Sequence, residues 1–383
     1  MAMSPRLPAA GAPQSRLPAL RRWPDWSPYA AALVSAVYAV LGVSWAAAGG
    51  TGFPFGEGRD PVASASILRD VPPDAGARGL ALAGIVGLVV ALGMTRPGAP
   101  SPVRWLLLGL GVMASLVLAI VIPDYRVLVL VAYTPIVILG APFGWPPETN
   151  LLGVLSWSVI HQLVFILGGV LFAATTLAFW RRWHGSCASC GRGPDRSSWA
   201  APERAASWGR RATYVAAAVP LVYAATRWAW ALGIPLGISE EFLRQGQEVG
   251  LWLAGAALAT VAVVGAILTL GLTQSWGEAI PSWVPILGGR RVPPALVTVP
   301  AGVVAVVVTS AGVMFWRLVL AGGFTLGTGQ TLTLEDSWAA LAPELLWPVW
   351  GVALGIGALG YHLRRRGRCA ACGRGRSQPE PAA

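Results

Sequence analysis

Long runs without a single charged residue constrain this chain most. Five examples are the segments 30–48, 106–122, 164–180, 251–272 and 296–315. About 20 apolar residues in a helix are enough to cross the hydrocarbon core of a membrane. Only 12% of the 383 residues are charged and 55% are hydrophobic, whereas soluble domains carry about 25% charged residues. The sequence therefore predicts an all-α integral membrane protein with several spans.

The apolar runs predict about eight transmembrane helices arranged as two parallel four-helix repeats. We expect a Pro/Arg-rich tail (1–26), a first repeat (27–180), a linker (181–210), a second repeat (211–363) and a second tail (364–383). The predicted spans are 27–48, 78–95, 104–122, 156–180, 211–233, 249–273, 293–316 and 338–362. A further apolar stretch at 127–139 is short for a span, and its length favours a re-entrant or interfacial helix.

The arginines predict how the helices are oriented. All 28 basic residues are arginine, and 21 of them fall in the tails and in alternate loops. Because cytoplasmic loops collect basic residues, both termini and both cysteine segments are expected in the cytoplasm, with the protein in the plasma membrane. The net charge of +11 is explained by this topology and by contact with the lipid bilayer, so we expect no nucleic-acid partner.

A repeated heptapeptide indicates an internal duplication. Cys187-Ala-Ser-Cys190-Gly-Arg-Gly and Cys369-Ala-Ala-Cys372-Gly-Arg-Gly each follow a long apolar helix and an arginine run. An even number of spans separates the copies, which predicts parallel repeats like those known among transporters. Further matched segments are Tyr29, Tyr38 and Trp45 with Tyr214, Tyr223 and Trp230, Gly79 to Gly84 with Gly250 to Gly255, and His161 to Val170 with Pro343 to Val352.

The two cysteine pairs predict a metal site. Two Cys-x-x-Cys turns can supply the four thiolates of a closed structural zinc site, so Cys187, Cys190, Cys369 and Cys372 are the candidate ligands. Reduced cytoplasmic thiols argue against structural disulfides. Thiol redox chemistry is an alternative because a Cys-x-x-Cys motif can lower a thiol pKa. Two separate metal sites in a dimer, or thiols without a metal, are the others.

Four polar residues within the predicted helices are candidates for a substrate pocket. Arg227, Glu344, His161 and Gln162 should all lie in the outer half of the bundle. Ionisable groups at membrane depth are costly and are candidates for function. Arg227 could bind an anionic group, and His161 or Glu344 could carry a proton. The alternative is a structural Arg227–Glu344 ion pair, with His161 and Gln162 hydrogen-bonded near the membrane surface.

Three functions are compatible with this sequence, and transport of a small molecule or ion is the preferred one. The duplication and the polar groups at one depth favour it. A second is a signalling or scaffold protein that binds a protein partner through the cytoplasmic cysteine segments. A third is a membrane-embedded enzyme acting on a lipid-like substrate, although the sequence carries no HExxH, GxSxG or nucleotide-binding signature. We therefore expect transport rather than catalysis.

Overall fold

A computed structural model describes residues 22–56, 65–96, 98, 100–140, 142, 155–193, 198–285, 288–325 and 331–375. Most of the predicted N-terminal tail, residues 194–197 of the linker and residues 376–383 lie outside this part of the chain. The α-helices are α1 (Trp23–Ala47), α2 (Pro73–Gly93), α3 (Ser101–Leu116), α4 (Tyr125–Gly140), α5 (Trp157–Trp183), α6 (Pro202–Ala231), α7 (Glu240–Glu248), α8 (Leu251–Leu270), α9 (Pro294–Leu320), α10 (Trp338–Leu345) and α11 (Trp347–Arg365).

The shorter elements are few. Helix α3 continues as one π-helical turn at Val117–Val121, and short 3₁₀ turns cover Ser198–Ala200 and Ser275–Gly277. Two strands, β1 (Phe324–Thr325) and β2 (Thr331–Leu332), form a small antiparallel hairpin after α9. We call residues 22–193 the first half and residues 198–375 the second half.

Seven helical segments of the described chain are long and apolar enough to cross a membrane. They are α1, α2, α3 with its π-helical turn, α5, α8, α9 and the nearly continuous pair α10–α11. This confirms a multi-pass all-α membrane protein. All but the last two residues of the predicted fifth span, 211–233, lie within α6, which has 30 residues but is not among the seven. Its later turns contain Arg227, Pro220 and several Tyr and Trp residues, which keep the mean hydropathy low even in a window that omits the arginines of the first turns.

Proline and glycine define several helix ends. Proline occupies the first helical turn of α2, α6 and α9, where a missing backbone N–H removes no intrahelical bond. Ser239 caps α7 because its hydroxyl accepts a hydrogen bond from the backbone N–H of Phe242 at 3.2 Å, an interaction typical of N-caps. Gly233, just after α6, has a φ of 81°, which favours glycine after a helix end.

The two halves pack their helices in the same pattern. In the first half α1 packs against α2 and α5, and α3 packs against α5; in the second half α6 packs against α8 and α11, and α9 packs against α11. Glycine permits the close crossing in both. A Cβ on Gly169 would lie 2.8 Å from Ala119 N, and one on Gly351 would lie 2.5 Å from Ala305 O. Small residues at such crossings let membrane helices approach closely.

One predicted match within the repeats has a different register in the structure. Gly79 lies inside α2, whereas Gly250 precedes α8 and adopts a left-handed conformation with a φ of 70°. Aligning these two glycines would therefore place a helical residue over a helix cap. The ends of the helices agree better with another pairing, in which Gly93-Met94-Thr95 at the end of α2 corresponds to Gly271-Leu272-Thr273 just after α8.

Helix α4 lies between the halves. The predicted apolar stretch 127–139 falls within this 16-residue helix, which packs against α5 of the first half and α8 and α9 of the second. Its Leu128 packs against a buried cluster that contains Tyr223, Val308 and Trp347. The hydroxyl of Ser310 on α9 also donates a hydrogen bond to the Pro123 carbonyl at 3.0 Å. The short helix thus forms part of the contact between the halves.

Candidate functional site

The four cysteines form one cluster. Their sulfur atoms all lie within 4.8 Å of one another, and Cys190 Sγ is 3.6 Å from Cys372 Sγ. A zinc ion with Zn–S bonds of about 2.3 Å would hold its sulfurs about 3.8 Å apart in a tetrahedron. The cluster therefore has the donor set and the size to hold a metal ion, as the sequence predicts. It joins the segment after α5 to the segment after α11.

The backbone explains why glycine follows the second cysteine of each pair. In the first segment Gly191 N–H donates to Cys187 O at 2.7 Å, and in the second Gly373 N–H donates to Cys369 O at 2.8 Å. Gly191 and Gly373 have φ values of 72° and 68°, a left-handed conformation that side chains disfavour. The two turns have the same fold.

The arginines of the two Cys-Gly-Arg-Gly motifs, Arg192 and Arg374, connect the two cysteine segments by hydrogen bonds. The sequence analysis did not predict this role. Arg192 Nη1 donates to Arg374 O at 2.9 Å and to Gly367 O at 3.1 Å. Arg374 Nη1 donates in return to Arg192 O at 3.0 Å. The signal was visible in the sequence, because arginine occupies the same place in both Cys-Gly-Arg-Gly motifs.

Other arginines surround the same cluster. Arg181 Nη1 donates to Ala188 O at 3.0 Å and to Ser189 O at 3.1 Å, and Arg366 Nη1 donates to Cys190 O at 2.8 Å. One divalent ion with four thiolates carries a net charge of −2, so this positive surrounding is electrostatically suited to a four-thiolate site.

The thiols differ in acidity. Burial acts to raise the pKa of Cys369, but hydrogen bonds from the backbone N–H groups of Cys372 and Ala371 and from nearby thiols outweigh it and lower that pKa to about 7. Burial and the neighbouring thiols raise the pKa of Cys372 to about 12. Burial likewise raises the pKa of Cys190. A metal ion must therefore displace protons from at least some of these sulfurs to bind all four.

Arg227 and Glu344 form a buried ion pair at the opposite end of the bundle, which we call the distal end. Arg227 Nη2 bonds Glu344 Oε1, and its Nη1 donates to Thr226 Oγ1 and Ala339 O, each at 2.9 Å. The guanidinium lies over the ring of Tyr223, with 4.4 Å to the centroid. Glu344 is only 3% exposed. This pair connects α6 to α10.

His161 and Gln162 are adjacent on α5 and have different partners. His161 Nδ1 is 2.7 Å from the Tyr38 hydroxyl. Gln162 is fully buried; its Nε2 donates to Asp124 Oδ2 at 2.8 Å, and its Oε1 accepts from the Asp124 N–H at 3.0 Å. Asp124 in turn pairs with Arg126, Nη2 to Oδ2, at 2.6 Å. The four candidate residues thus belong to three separate groups, in which Arg227 pairs with Glu344, His161 with Tyr38, and Gln162 with Asp124.

Asp124 and Arg126 are polar residues that the predicted site omits. They are 2% and 7% exposed. Arg126 Nη1 also donates to Ser158 Oγ at 3.2 Å. The Pro123-Asp124-Tyr125-Arg126 segment interrupts two apolar runs, a signal that could have identified a buried polar turn.

Several buried polar atoms at the distal end have no hydrogen-bond partner within the described part of the chain. They include Glu344 Oε2, His161 Nε2, and the indole nitrogens of Trp347 and Trp350. A buried polar group without a partner is destabilising unless water or a ligand satisfies it. Glu344, Trp347 and Trp350 therefore offer one acceptor and two donors in one short stretch of α10 and α11.

Three cavities lie at the end of the bundle that carries the cysteines, which we call the cysteine end. Their volumes are about 670, 400 and 290 Å³. The 400 Å³ cavity lies beside the cysteine segments, between Arg22, Arg182 and Arg374. The other two lie between helix ends, one in each half.

Comparisons with models of protein families, with curated proteins and with solved structures find no match for this chain. Arguments about its function therefore rest on its own residues and geometry.

Proposed function

We propose that this protein is a plasma-membrane transporter of a small polar molecule or ion, built from two duplicated halves that a structural zinc ion holds together. The observation that carries the transport proposal is the buried Arg227–Glu344 pair, in which one carboxylate oxygen keeps no partner among the described residues. Ionisable groups buried among membrane helices are candidates for a substrate or ion pathway.

The zinc part of the proposal rests on the four clustered thiols. Four sulfur ligands fit zinc, and they leave no open coordination position for catalysis. The ion would therefore be structural. By joining Cys187 and Cys190 after α5 to Cys369 and Cys372 after α11, it would connect the last helix of each half.

The duplication is supported by equivalent packing. Gly169 and Gly351 are separated by 182 residues, the same offset as Cys187 and Cys369. Each glycine forms the close crossing between the last helix of its half and the preceding long helix that packs on it. This agreement supports four spans in each half, with α6 counted as a span and the pseudo-twofold axis along the membrane normal.

The orientation of the protein follows from the arginines. The cysteine end carries Arg181, Arg192, Arg366 and Arg374 among many others. Because basic residues concentrate on the cytoplasmic side, we place the cysteine end in the cytoplasm and the Arg227–Glu344 pair near the outer surface. Reduced thiols in the cytoplasm agree with zinc ligation.

The unpartnered atoms suggest the chemistry of the transported molecule. Glu344 Oε2 can accept a hydrogen bond, and the Trp347 and Trp350 indoles can donate one. A ligand with a cationic or N–H donor and a separate acceptor oxygen would satisfy these groups. His161 with Tyr38 could serve as a second polar site in the first half.

A second candidate is a protein-binding role for the cysteine end. It is supported by the 400 Å³ cavity beside the cysteine segments, which the arginines Arg22, Arg182 and Arg374 line together with Asp25. An acidic segment of a cytoplasmic protein would match the excess of positive charge.

The zinc proposal is tested by elemental analysis of the purified protein. We expect one zinc per chain in the wild type, loss of zinc in Cys187→Ser and in Cys369→Ser, and retention in Ser186→Ala, a neighbouring control. Zinc in both cysteine variants would contradict a shared site. Absence of metal with reversible oxidation of the thiols would favour redox chemistry instead.

Transport is tested in proteoliposomes with a panel of amino acids, sugars and organic ions, followed by electrical and pH-dye detection. At least one compound should produce a flux that Arg227→Gln abolishes while zinc content and helicity remain. Arg244→Gln is the matched control, because Arg244 is exposed and pairs with Glu241 in α7. No flux across the panel, or equal flux in Arg227→Gln, would contradict the proposal.

A further inference from the structure

One side of the four-cysteine cluster borders a cavity. The cavity of about 400 Å³ at the cysteine end is lined by Cys187 from the first cysteine segment and by Cys372 from the second. Cys190 and Cys369 are not among its lining residues. The cluster therefore presents two of its four cysteines to this cavity, one from each segment.

Equivalent positions of the two segments differ in their access to this cavity. Ala188 of the first segment lines the cavity, whereas its counterpart Ala370 is exposed and lies outside the lining. The two turns have the same backbone hydrogen bonds, so the difference comes from the way the segments pack on each other and beside the start of α1. Access to the cluster is thus asymmetric, although the two motifs are repeated.

Arginine side chains give the cavity a positive charge. Arg22, Arg182 and Arg374 line it together with one acid, Asp25. Asp25 Oδ1 lies 3.3 Å from Arg182 Nη2, whereas Arg22 is exposed and has no hydrogen-bond or ion-pair partner among the described residues. Positive charge beside a reacting thiolate stabilises an anionic leaving group, such as the hydroxide that a peroxide releases.

Two sulfurs of the cluster are in contact across the two segments. Cys190 Sγ is 3.6 Å from Cys372 Sγ. A thiolate is the nucleophilic form of cysteine, and a metal ion keeps its cysteine ligands deprotonated. With zinc bound, Cys372 would therefore be a thiolate beside the cavity, and Cys190 would be a second thiolate next to it.

We propose that the zinc-loaded cluster is a reversible oxidation site for hydrogen peroxide, in which Cys372 is oxidised through the cavity and then forms a disulfide with Cys190. The Cys372 thiolate attacks one peroxide oxygen, so that an S–O bond forms, the O–O bond breaks, and hydroxide leaves and is protonated by solvent. The Cys190 thiolate then attacks the sulfenic acid, so that an S–S bond forms, the S–O bond breaks, and a second hydroxide leaves and is protonated. Two thiolates thus lose two electrons, while one hydrogen peroxide and two protons become two molecules of water.

This disulfide would release zinc and still keep the halves connected. Two of the four ligands are lost, because the thiolate is the form of cysteine that binds a metal. The new bond joins the segment after α5 to the segment after α11, which are the segments that the ion joins. Disulfides in a reducing cytoplasm are usually transient and serve catalysis or redox sensing. The inference rests on the zinc part of the proposed function and is independent of transport.

The test is peroxide treatment of the zinc-loaded, full-length protein in detergent. Zinc release is measured with a chromophoric chelator, and disulfides are mapped by mass spectrometry of peptides. We expect one zinc released for each disulfide, a bond between Cys190 and Cys372, and recovery of zinc binding after dithiothreitol and added zinc.

Two alanine variants test the role of the cavity. Ala188→Phe fills the cavity and should keep its zinc at a peroxide dose that empties the wild type. Ala370→Phe is the matched control, because it places the same side chain at the equivalent position outside the cavity lining, and it should lose zinc like the wild type. One zinc per chain before treatment shows that each variant has folded.

A further measurement needs no variant. Brief treatment of the zinc-loaded wild type with N-ethylmaleimide should label Cys187 and Cys372 before Cys190 and Cys369. Equal labelling of the four cysteines, or equal zinc loss in the two alanine variants, would overturn the asymmetric access. A disulfide within one segment, or zinc retained after peroxide, would overturn the oxidation step alone. Absence of zinc from the untreated wild type would contradict both the zinc proposal and this inference.

Discussion

Replacing Arg192 with alanine should weaken zinc binding more than replacing its counterpart Arg374. Arg192 donates three hydrogen bonds across the junction of the two cysteine segments, to the carbonyls of Arg374, Gly367 and Arg366 at 2.9, 3.1 and 3.3 Å. Arg374 donates one to its counterpart, at 3.0 Å. A hydrogen bond of this kind contributes about 1 kcal/mol net. The expected costs are therefore about 3 kcal/mol and about 1 kcal/mol.

These costs convert to distinct changes in metal affinity. At about 1.4 kcal/mol per factor of ten, Arg192→Ala should lower zinc affinity about 100-fold and Arg374→Ala about fivefold. Replacing a residue that positions metal ligands typically lowers metal affinity by about 10- to 100-fold. Arg192→Lys should fall between wild type and Arg192→Ala, because lysine keeps the charge but not the planar fork of donors.

The assay is a competition titration with a chromophoric zinc chelator on the detergent-purified protein. Arg204→Ala is the control, since Arg204 is exposed on α6 and has no hydrogen-bond or ion-pair partner in the described chain. Wild-type affinity in Arg192→Ala would refute the interlocking role of the arginines. A larger loss in Arg374→Ala than in Arg192→Ala would refute the count of hydrogen bonds on which the magnitudes depend.

Three further predictions follow from the same structure. Zinc affinity should fall as the pH is lowered, because the thiols must release protons to bind the ion. Cys372 is an example, since its pKa without metal is raised to about 12. Zinc titrations at pH 6 and pH 8 check this, and equal affinities at the two pH values would contradict it. Gly351→Ala should destabilise the protein by about 1 to 3 kcal/mol through overpacking, because its Cβ would lie 2.5 Å from Ala305 O. Gly355→Ala is the control, because its Cβ would make only an ordinary contact at 3.7 Å. Thermal melts of both variants in detergent check this, and equal melting temperatures would exclude the close crossing. Glu344→Gln should lower the free energy of unfolding by about 3 to 5 kcal/mol, because it leaves Arg227 buried without its counter-charge. Unfolding in a denaturing detergent measures this, and a stability equal to that of the wild type would argue against a tight ion pair.

The sequence was sufficient for the features that depend on local composition. Charge-free runs predicted the helices because a chain in lipid must satisfy its backbone hydrogen bonds within a helix or a barrel. The Cys-x-x-Cys repeats predicted the cluster of Cys187, Cys190, Cys369 and Cys372, because two such turns on the same side of a membrane can meet.

The sequence was insufficient where the contact depends on the direction of a side chain. Arg192 looked like one of many topology-setting arginines, and its bonds to distant carbonyls follow only from the way the two turns pack. The four polar candidates were expected in one pocket because they share a depth. Depth does not fix the helix face, and in the structure His161 faces Tyr38 while Arg227 faces Glu344.

The two ends of the bundle hold the halves together by different means. At the cysteine end, four thiolates on one ion would contribute about 10 to 16 kcal/mol, as structural zinc does in small domains, and the arginines add hydrogen bonds across the junction. At the distal end the polar links between the halves include Ser310 to Pro123 O and Arg317 to Ala65 O, and bonds of this kind contribute about 1 kcal/mol each. Apolar packing between α4 and α9 also holds the halves together, but this interaction is not directional. A relative movement of the halves would therefore open the distal end before it separates the cysteine end.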